Sequence, residues 1–190
     1  TWASGMKSPV YCDNRIILSH PKIRSYVCRC LAMAVGKQYG KPSVIAGVAT
    51  AGIAPGVLVA HAMKLPFVYV RADAKDHGMK NRIEGRVSAG QSAVIMEDLI
   101  STGQSSISVA EVLQHAGCRV KGVAAIFSYG LSSASRNFSK AGIPVFALCT
   151  WETLVERAKE QGYVNPRGAE ILAAWQKNPE QWQMNRKHVQ

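Results

Sequence analysis

With 190 residues, 47% of them apolar, the chain has material for one domain with a sizeable core. No apolar run approaches the roughly 20 residues that cross a bilayer as a helix, so a membrane-spanning protein of that kind is not expected. The net charge of +11 is concentrated in residues 1–150, with 17 basic against 7 acidic side chains, while residues 151–190 hold 6 and 5. Beside a plain basic surface, such a bias suggests an anionic partner, either nucleic acid or a phosphorylated small molecule.

In chain order, Thr1 to Ser19 reads as a polar turn and then an extended piece, with strand character until Pro21. Apolar residues at Ile23, Tyr26, Val27, Leu31, Ala34 and Val35 recur at helical spacing, and Gly40 closes that helix. Ser43–Ala49 is an apolar run of strand length leading into "TAGIAPG", after which Val57–Lys64 reads as a helix. Phe67–Arg71 is the next strand. Ala72–Gly90 is polar, charged and weakly periodic. A strand at "SAVIM", a helix over Ile107–His115, a strand over Gly122–Ser128, a helix over Ser132–Ala141 and a strand over Pro144–Cys149 follow. Two helices close the chain, about Glu152–Gln161 and Gly168–Lys177. Strands apolar throughout, alternating with helices, predict an α/β domain with a central, mostly parallel sheet and helices on both faces.

The five cysteines (12, 28, 30, 118 and 149) are odd in number and scattered. They predict reduced thiols in a cytoplasmic protein, and their spacing is not that of a zinc site. The five histidines form no metal-binding helix motif.

The informative stretch is "AVIMEDLISTGQSS", Ala93 to Ser106. An apolar strand ends in two acids, Glu97 and Asp98, then small hydroxyl residues surround Gly103, and a helix begins. Ligands of open α/β sheets sit beyond the carboxyl ends of strands. Adjacent acids there repel one another unless a sugar diol or a magnesium ion uses them. The free N–H groups and positive dipole end of the next helix suit a phosphate. A bare Glu-Asp pair is more often an exposed acidic turn, but the full string is more specific, and it is not a Walker loop.

This string resembles the phosphoribosyl-pyrophosphate (PRPP) signature of the type I phosphoribosyltransferases. More narrowly, "TWASGMKSPVYCDNR", "ATAGIAPG" and "RADAKDHGMKNRIEG" make nearly the whole chain similar to the orotate phosphoribosyltransferases. The resemblance implies one phosphoribosyltransferase domain over residues 1–190, with a small hood from the N- and C-terminal segments, a mobile lid over Arg71–Gly85, and a further short helix ahead of Thr1. It implies transfer of the phosphoribosyl group from PRPP to orotate in UMP biosynthesis. PRPP would be bound by Arg71, Lys75, His77, Glu97, Asp98, Leu99, Ile100, Ser101, Thr102, Gly103, Gln104 and Ser105. Catalysis falls to Lys75, His77 and Asp98, and orotate to Ser101, Lys7 and Arg15. Mg²⁺ is expected to arrive on PRPP, with Asp98 the candidate protein ligand. A homodimer is expected in which the lid serves the neighbouring subunit.

Four departures from the family pattern stand out. Ala72 follows the lid Arg where many relatives have Lys, Gln104 replaces a second Gly, Thr50-Ala51 replaces Tyr-Lys, and Tyr129 stands near a carboxylate-binding Arg. Rival readings are a phosphoribosyltransferase for a purine or uracil, a PRPP-sensing regulator that binds nucleic acid, and a basic domain without a ligand. No helix-turn-helix pattern supports the regulator.

Overall fold

The apolar runs become the strands of one sheet because each can bury both of its faces between helices. The structure, a computed structural model, describes residues 7–72, 82–179 and 182. The strands are β1 (Val44–Val48), β2 (Phe67–Val70), β3 (Ile83–Glu84), β4 (Ser92–Ile100), β5 (Arg119–Ser128) and β6 (Val145–Thr150). Their order in the sheet is β3-β2-β1-β4-β5-β6. β1 runs parallel to β2 and β4, and β4 is parallel to β5, while β3 is antiparallel to β2.

Helices α1 (Pro21–Tyr39) and α2 (Ile53–Met63) cover one face, where Leu31, Val35, Val59 and Ala60 pack with Ile45, Val94, Met96 and Ala124. Helices α3 (Gln104–His115) and α4 (Ser132–Ala141) cover the other, where Ile107, Ala110, Leu113 and Phe138 pack with Ala46, Ile95, Val123 and Ala125. Successive strand residues thus alternate between two cores, as the period of two requires.

The chain divides into two compact units, residues 14–149 and residues 1–13 with 150–190. The second holds α5 (Trp151–Glu160) and α6 (Pro166–Lys177). The Thr150 side chain accepts from the Thr153 amide to cap α5, and Asn165 does the same from Gly168 for α6. The rings of Trp151 and Trp175 lie 4.9 Å apart, and the Trp175 indole N–H donates to the Lys7 carbonyl at 3.0 Å. The chain start and the last helix, the segments expected to make a hood, are therefore tied together within this unit.

Four local expectations change. Asn14–Ser19 is a 3-10 helix and not a strand. It runs straight into Pro21, its turn is held by Arg24 Nη1 donating to the Leu18 carbonyl at 2.7 Å, and it adds no strand to the sheet. α2 starts at Ile53, a turn before the expected Val57, because its glycines pack where a side chain would not fit: a Cβ on Gly56 would lie 2.6 Å from the Phe67 ring. β3, two residues long, lies inside the stretch read as irregular. β4 runs on through the acids to Ile100, because Leu99 and Ile100 still pair with Phe127 and Ser128 of β5.

Candidate active site

Gly47 of β1 lies opposite Met96 of β4, so the two parallel strands end side by side at one edge of the sheet. Chain order reverses between them: β2 and β3 extend to one side, β5 and β6 to the other. This is the switch point where such sheets open a crevice for ligands.

The β4 corner carries the charge. Glu97 is 6% exposed, and its carboxylate accepts the Ser106 hydroxyl of α3 at 3.2 Å and the Asp98 amide at 3.1 Å. Burial, and then the charge of Asp98, hold the Glu97 carboxyl well above the usual carboxylate range. Burial also raises Asp98, but the hydrogen bond from Glu97 and the charge of Arg15 oppose that rise. The more deeply buried Glu97 therefore keeps the proton and donates towards Asp98, which is the ionised member of the pair. Asp98 is half-buried, and the Asn14 side-chain amide donates to its backbone carbonyl at 2.8 Å.

Beyond β4, Gly103 takes φ +78, and a Cβ there would lie 2.5 Å from the Phe138 ring. Only glycine meets both demands. The Asn137 amide fastens the loop by donating to the Thr102 carbonyl at 3.0 Å. No side chain caps α3. Helix geometry leaves its first amides pointing out of the loop, beside the exposed Gln104 and Ser105 and the half-buried Ser101 and Thr102. Leu99 and Ile100 contribute by backbone: Ile100 is buried in the core, and its carbonyl accepts the Tyr129 amide at 3.0 Å.

The β1 corner is built from backbone alone. The Ala49–Thr50 peptide is cis, and the Gly52 amide donates to the Val48 carbonyl at 2.9 Å. A Cβ on Gly52 would run into the Met96 carbonyl, so the turn lies flat against β4. A cleft of about 300 Å³, counting the solvent at its mouth, opens beside this turn. Its walls include Asn14, Arg15, Arg24, Ala51, Pro55 and Asp98.

Among the remaining expected residues, Arg71 is half-buried and its guanidinium lies 3.6 Å from the Glu84 carboxylate. Lys75 and His77 fall outside the described residues. Arg15 is exposed and shares the cleft with Asp98. Lys7 is an exposed residue of the smaller unit. Tyr129 is 2% exposed and stacks edge-on against Phe127 at 5.1 Å, so it is a core residue. The sequence reading missed Ser106 and Asn14. A serine on the buried first turn of α3, nine positions after an acid, was the available signal for the first; nothing local marked the second.

A family model described as "Phosphoribosyl transferase domain" matches residues 14–141. The chain is 46% identical over 182 residues to the orotate phosphoribosyltransferase of Listeria monocytogenes serotype 4b, covering 96% of this chain and 87% of that one. It is 45% identical over 182 residues to the enzyme of that name from Porphyromonas gingivalis, with the same coverage. The chain belongs to the orotate phosphoribosyltransferases. Two solved structures share its fold. The orotate phosphoribosyltransferase of Aeropyrum pernix has a TM-score of 0.76 at 27% identity, covering 86% of this chain and 90% of that one. The UMP synthase of Leishmania donovani has a TM-score of 0.82 at 27% identity, with 96% of this chain matching 38% of that longer protein. Within this phosphoribosyltransferase, the departures from the family pattern fall at exposed or backbone positions, Ala72, Thr50 and Gln104, apart from the buried Tyr129.

Proposed function

We propose that this phosphoribosyltransferase moves the 5-phosphoribosyl group of PRPP onto a ring nitrogen of orotate and releases pyrophosphate, a step of pyrimidine nucleotide synthesis. The observation that carries this reading is the β4 corner, where one ionised carboxylate, one protonated carboxyl and an uncapped helix start converge on a glycine turn. A ribose diol fits the acids and a 5-phosphate fits the amides.

The orotate nitrogen attacks the anomeric carbon as the bond from that carbon to the pyrophosphate oxygen breaks. The sugar passes through an oxocarbenium-like state. Asp98 holds the diol and offsets the positive charge on the ring, with Glu97 beside it. Ser101, Thr102, Gly103, Gln104 and Ser105 line the phosphate seat. Arg71, Lys75 and His77 act on the departing pyrophosphate, where one charged donor supplies about 3–4 kcal/mol. Arg15, Lys7 and Ser101 are assigned to orotate.

Among the described residues no group of three or more metal-ligating side chains occurs. With the Glu97 proton retained, the donor set fits a Mg²⁺ carried on PRPP oxygens with Asp98 as the one protein carboxylate. When bound, the ion supplies charge neutralisation on the pyrophosphate. We further assign a homodimer in which each lid serves the neighbouring site. A cytoplasmic setting is supported by five unpaired thiols.

Incubation with PRPP, Mg²⁺ and, in turn, orotate, uracil, adenine and hypoxanthine tests the reading by nucleotide and pyrophosphate formation. Turnover confined to orotate is expected. Preference for another base, or salt-sensitive DNA binding without any turnover, would overturn it.

A further inference from the structure

Arg82 occupies an unusual position for a residue just past a stretch assigned to substrate. Its backbone carbonyl accepts the Arg71 amide at 2.9 Å, and its own Nε–H donates to the Arg71 carbonyl at 2.9 Å. Residues 71 and 82 are thus locked together in both directions. The same guanidinium donates from Nη2 to the Ser108 hydroxyl at 3.1 Å. Ser108 lies on α3, one turn after its start at Gln104. α3 is in turn fixed to the phosphate loop, since the Ile107 amide donates to the Gly103 carbonyl at 3.0 Å.

The strand pair at this point is short. β3 contributes two residues, matched as Tyr69 with Glu84 and Val70 with Ile83. A ladder of that length is weak without further support. A guanidinium is planar and presents Nε–H and Nη2–H along one edge, so it spans two acceptors on different elements with one fixed geometry. A lysine ammonium, a point donor on a flexible stem, does not reproduce this.

We propose that Arg82 is a positioning residue for phosphoribosyl transfer, bridging the paired ends of the 72–82 stretch to the helix that carries the phosphate seat. The inference rests on the transfer reading above, in which Arg71 and the residues between 72 and 82 act on pyrophosphate. Reacting groups supplied from one element and a sugar–phosphate held by another must keep a fixed offset, and small misplacements reduce rate steeply. Arg82 sets that offset without touching substrate.

The test is steady-state kinetics with orotate and PRPP on Arg82→Gln, Arg82→Lys, Ser108→Ala and the double variant Arg82→Gln/Ser108→Ala, together with thermal unfolding. The expected result is a loss in kcat/KM for PRPP of about 10-fold for Arg82→Gln and about 3-fold for Ser108→Ala. The orotate KM stays within about twofold, and unfolding midpoints stay close to wild type. Arg82→Lys should not restore activity, and the double variant should be no worse than Arg82→Gln, because both substitutions remove one bridge. Wild-type kcat/KM for PRPP in Arg82→Gln or Ser108→Ala would overturn the proposal. So would losses that multiply in the double variant, or an orotate KM that rises in step. Should Arg82→Gln fail to fold, the milder Ser108→Ala decides alone. A wild-type enzyme inert towards orotate and PRPP would instead refute the transfer reading itself.

Discussion

The two strand-to-helix corners that meet at the sheet edge are built by opposite means. After β1, the chain turns through Ala49, Thr50, Ala51 and Gly52 without an ionisable group, and a Cβ at Gly52 has no room against the Met96 carbonyl. After β4, the turn is equally tight, with Gly103 at φ +78 under the Phe138 ring, but it is preceded by two acids and flanked by hydroxyls. Close packing dictates glycine in each. Only the second corner adds chemistry by side chain, so the first offers a ligand peptide groups and the second offers charge and proton donors. Substrate charge is recognised on one strand, and its neighbour supplies a flat backbone wall.

The contrast is sharpest in catalysis. Asp98→Asn removes the ionised carboxylate while keeping its shape, and kcat/KM for PRPP should fall about 100- to 1000-fold. Thr50→Ala at the other corner should change it by no more than about threefold. Steady-state kinetics on the pair checks this, and equal losses would erase the distinction between a side-chain corner and a backbone corner.

Stability should treat the corners alike. Gly52→Ala forces a methyl into the Met96 carbonyl, and Gly103→Ala forces one towards Phe138 from a left-handed backbone. Each should destabilise by about 1–3 kcal/mol in chemical denaturation. A neutral effect at either position would show that its turn is looser than the packing implies.

The smallest expected effect is on pH dependence. The Glu97 carboxyl is held above its ordinary 4.5 by burial and by Asp98. A raised acid favours the folded state fully below the unfolded value, and that contribution is lost as pH rises through the folded value. Glu97→Gln removes the ionisation. Its unfolding midpoint, measured relative to wild type without PRPP, should therefore improve as pH rises from about 4.5 and then level off. A difference independent of pH would mean that Glu97 is charged in the folded enzyme, and the division of labour between the two acids would be reversed.

Much of this was legible in the chain. The parallel sheet followed from apolar runs such as Ser43–Ala49 and Ser92–Met96, since strands covered on both faces have no polar alternation to hide them. The acid–acid–hydroxyl–glycine string located the phosphate corner for the same local reason: its turn and helix start lie within a dozen residues. Helix ends marked by Gly40, Gly142 and Gly162 were equally local. The Asn14–Ser19 turn was misread because the apolar "RIIL" has strand propensity, and only the position of α1 decides against it. The two-residue β3 gave no periodic signal.

The residues themselves determined that a sugar–phosphate site would lie where β4 gives way to α3, because charge, small side chains and a helix start are all encoded within that one stretch. Tertiary structure alone decided which acid is ionised. Glu97 and Asp98 are equivalent on the page, and they differ only because one is buried against Ser106 from α3 while the other borders a cleft with Arg15 and Asn14, 83 and 84 positions away in the chain. A proton's location depends on burial and on distant charge, and those exist only once the chain has folded.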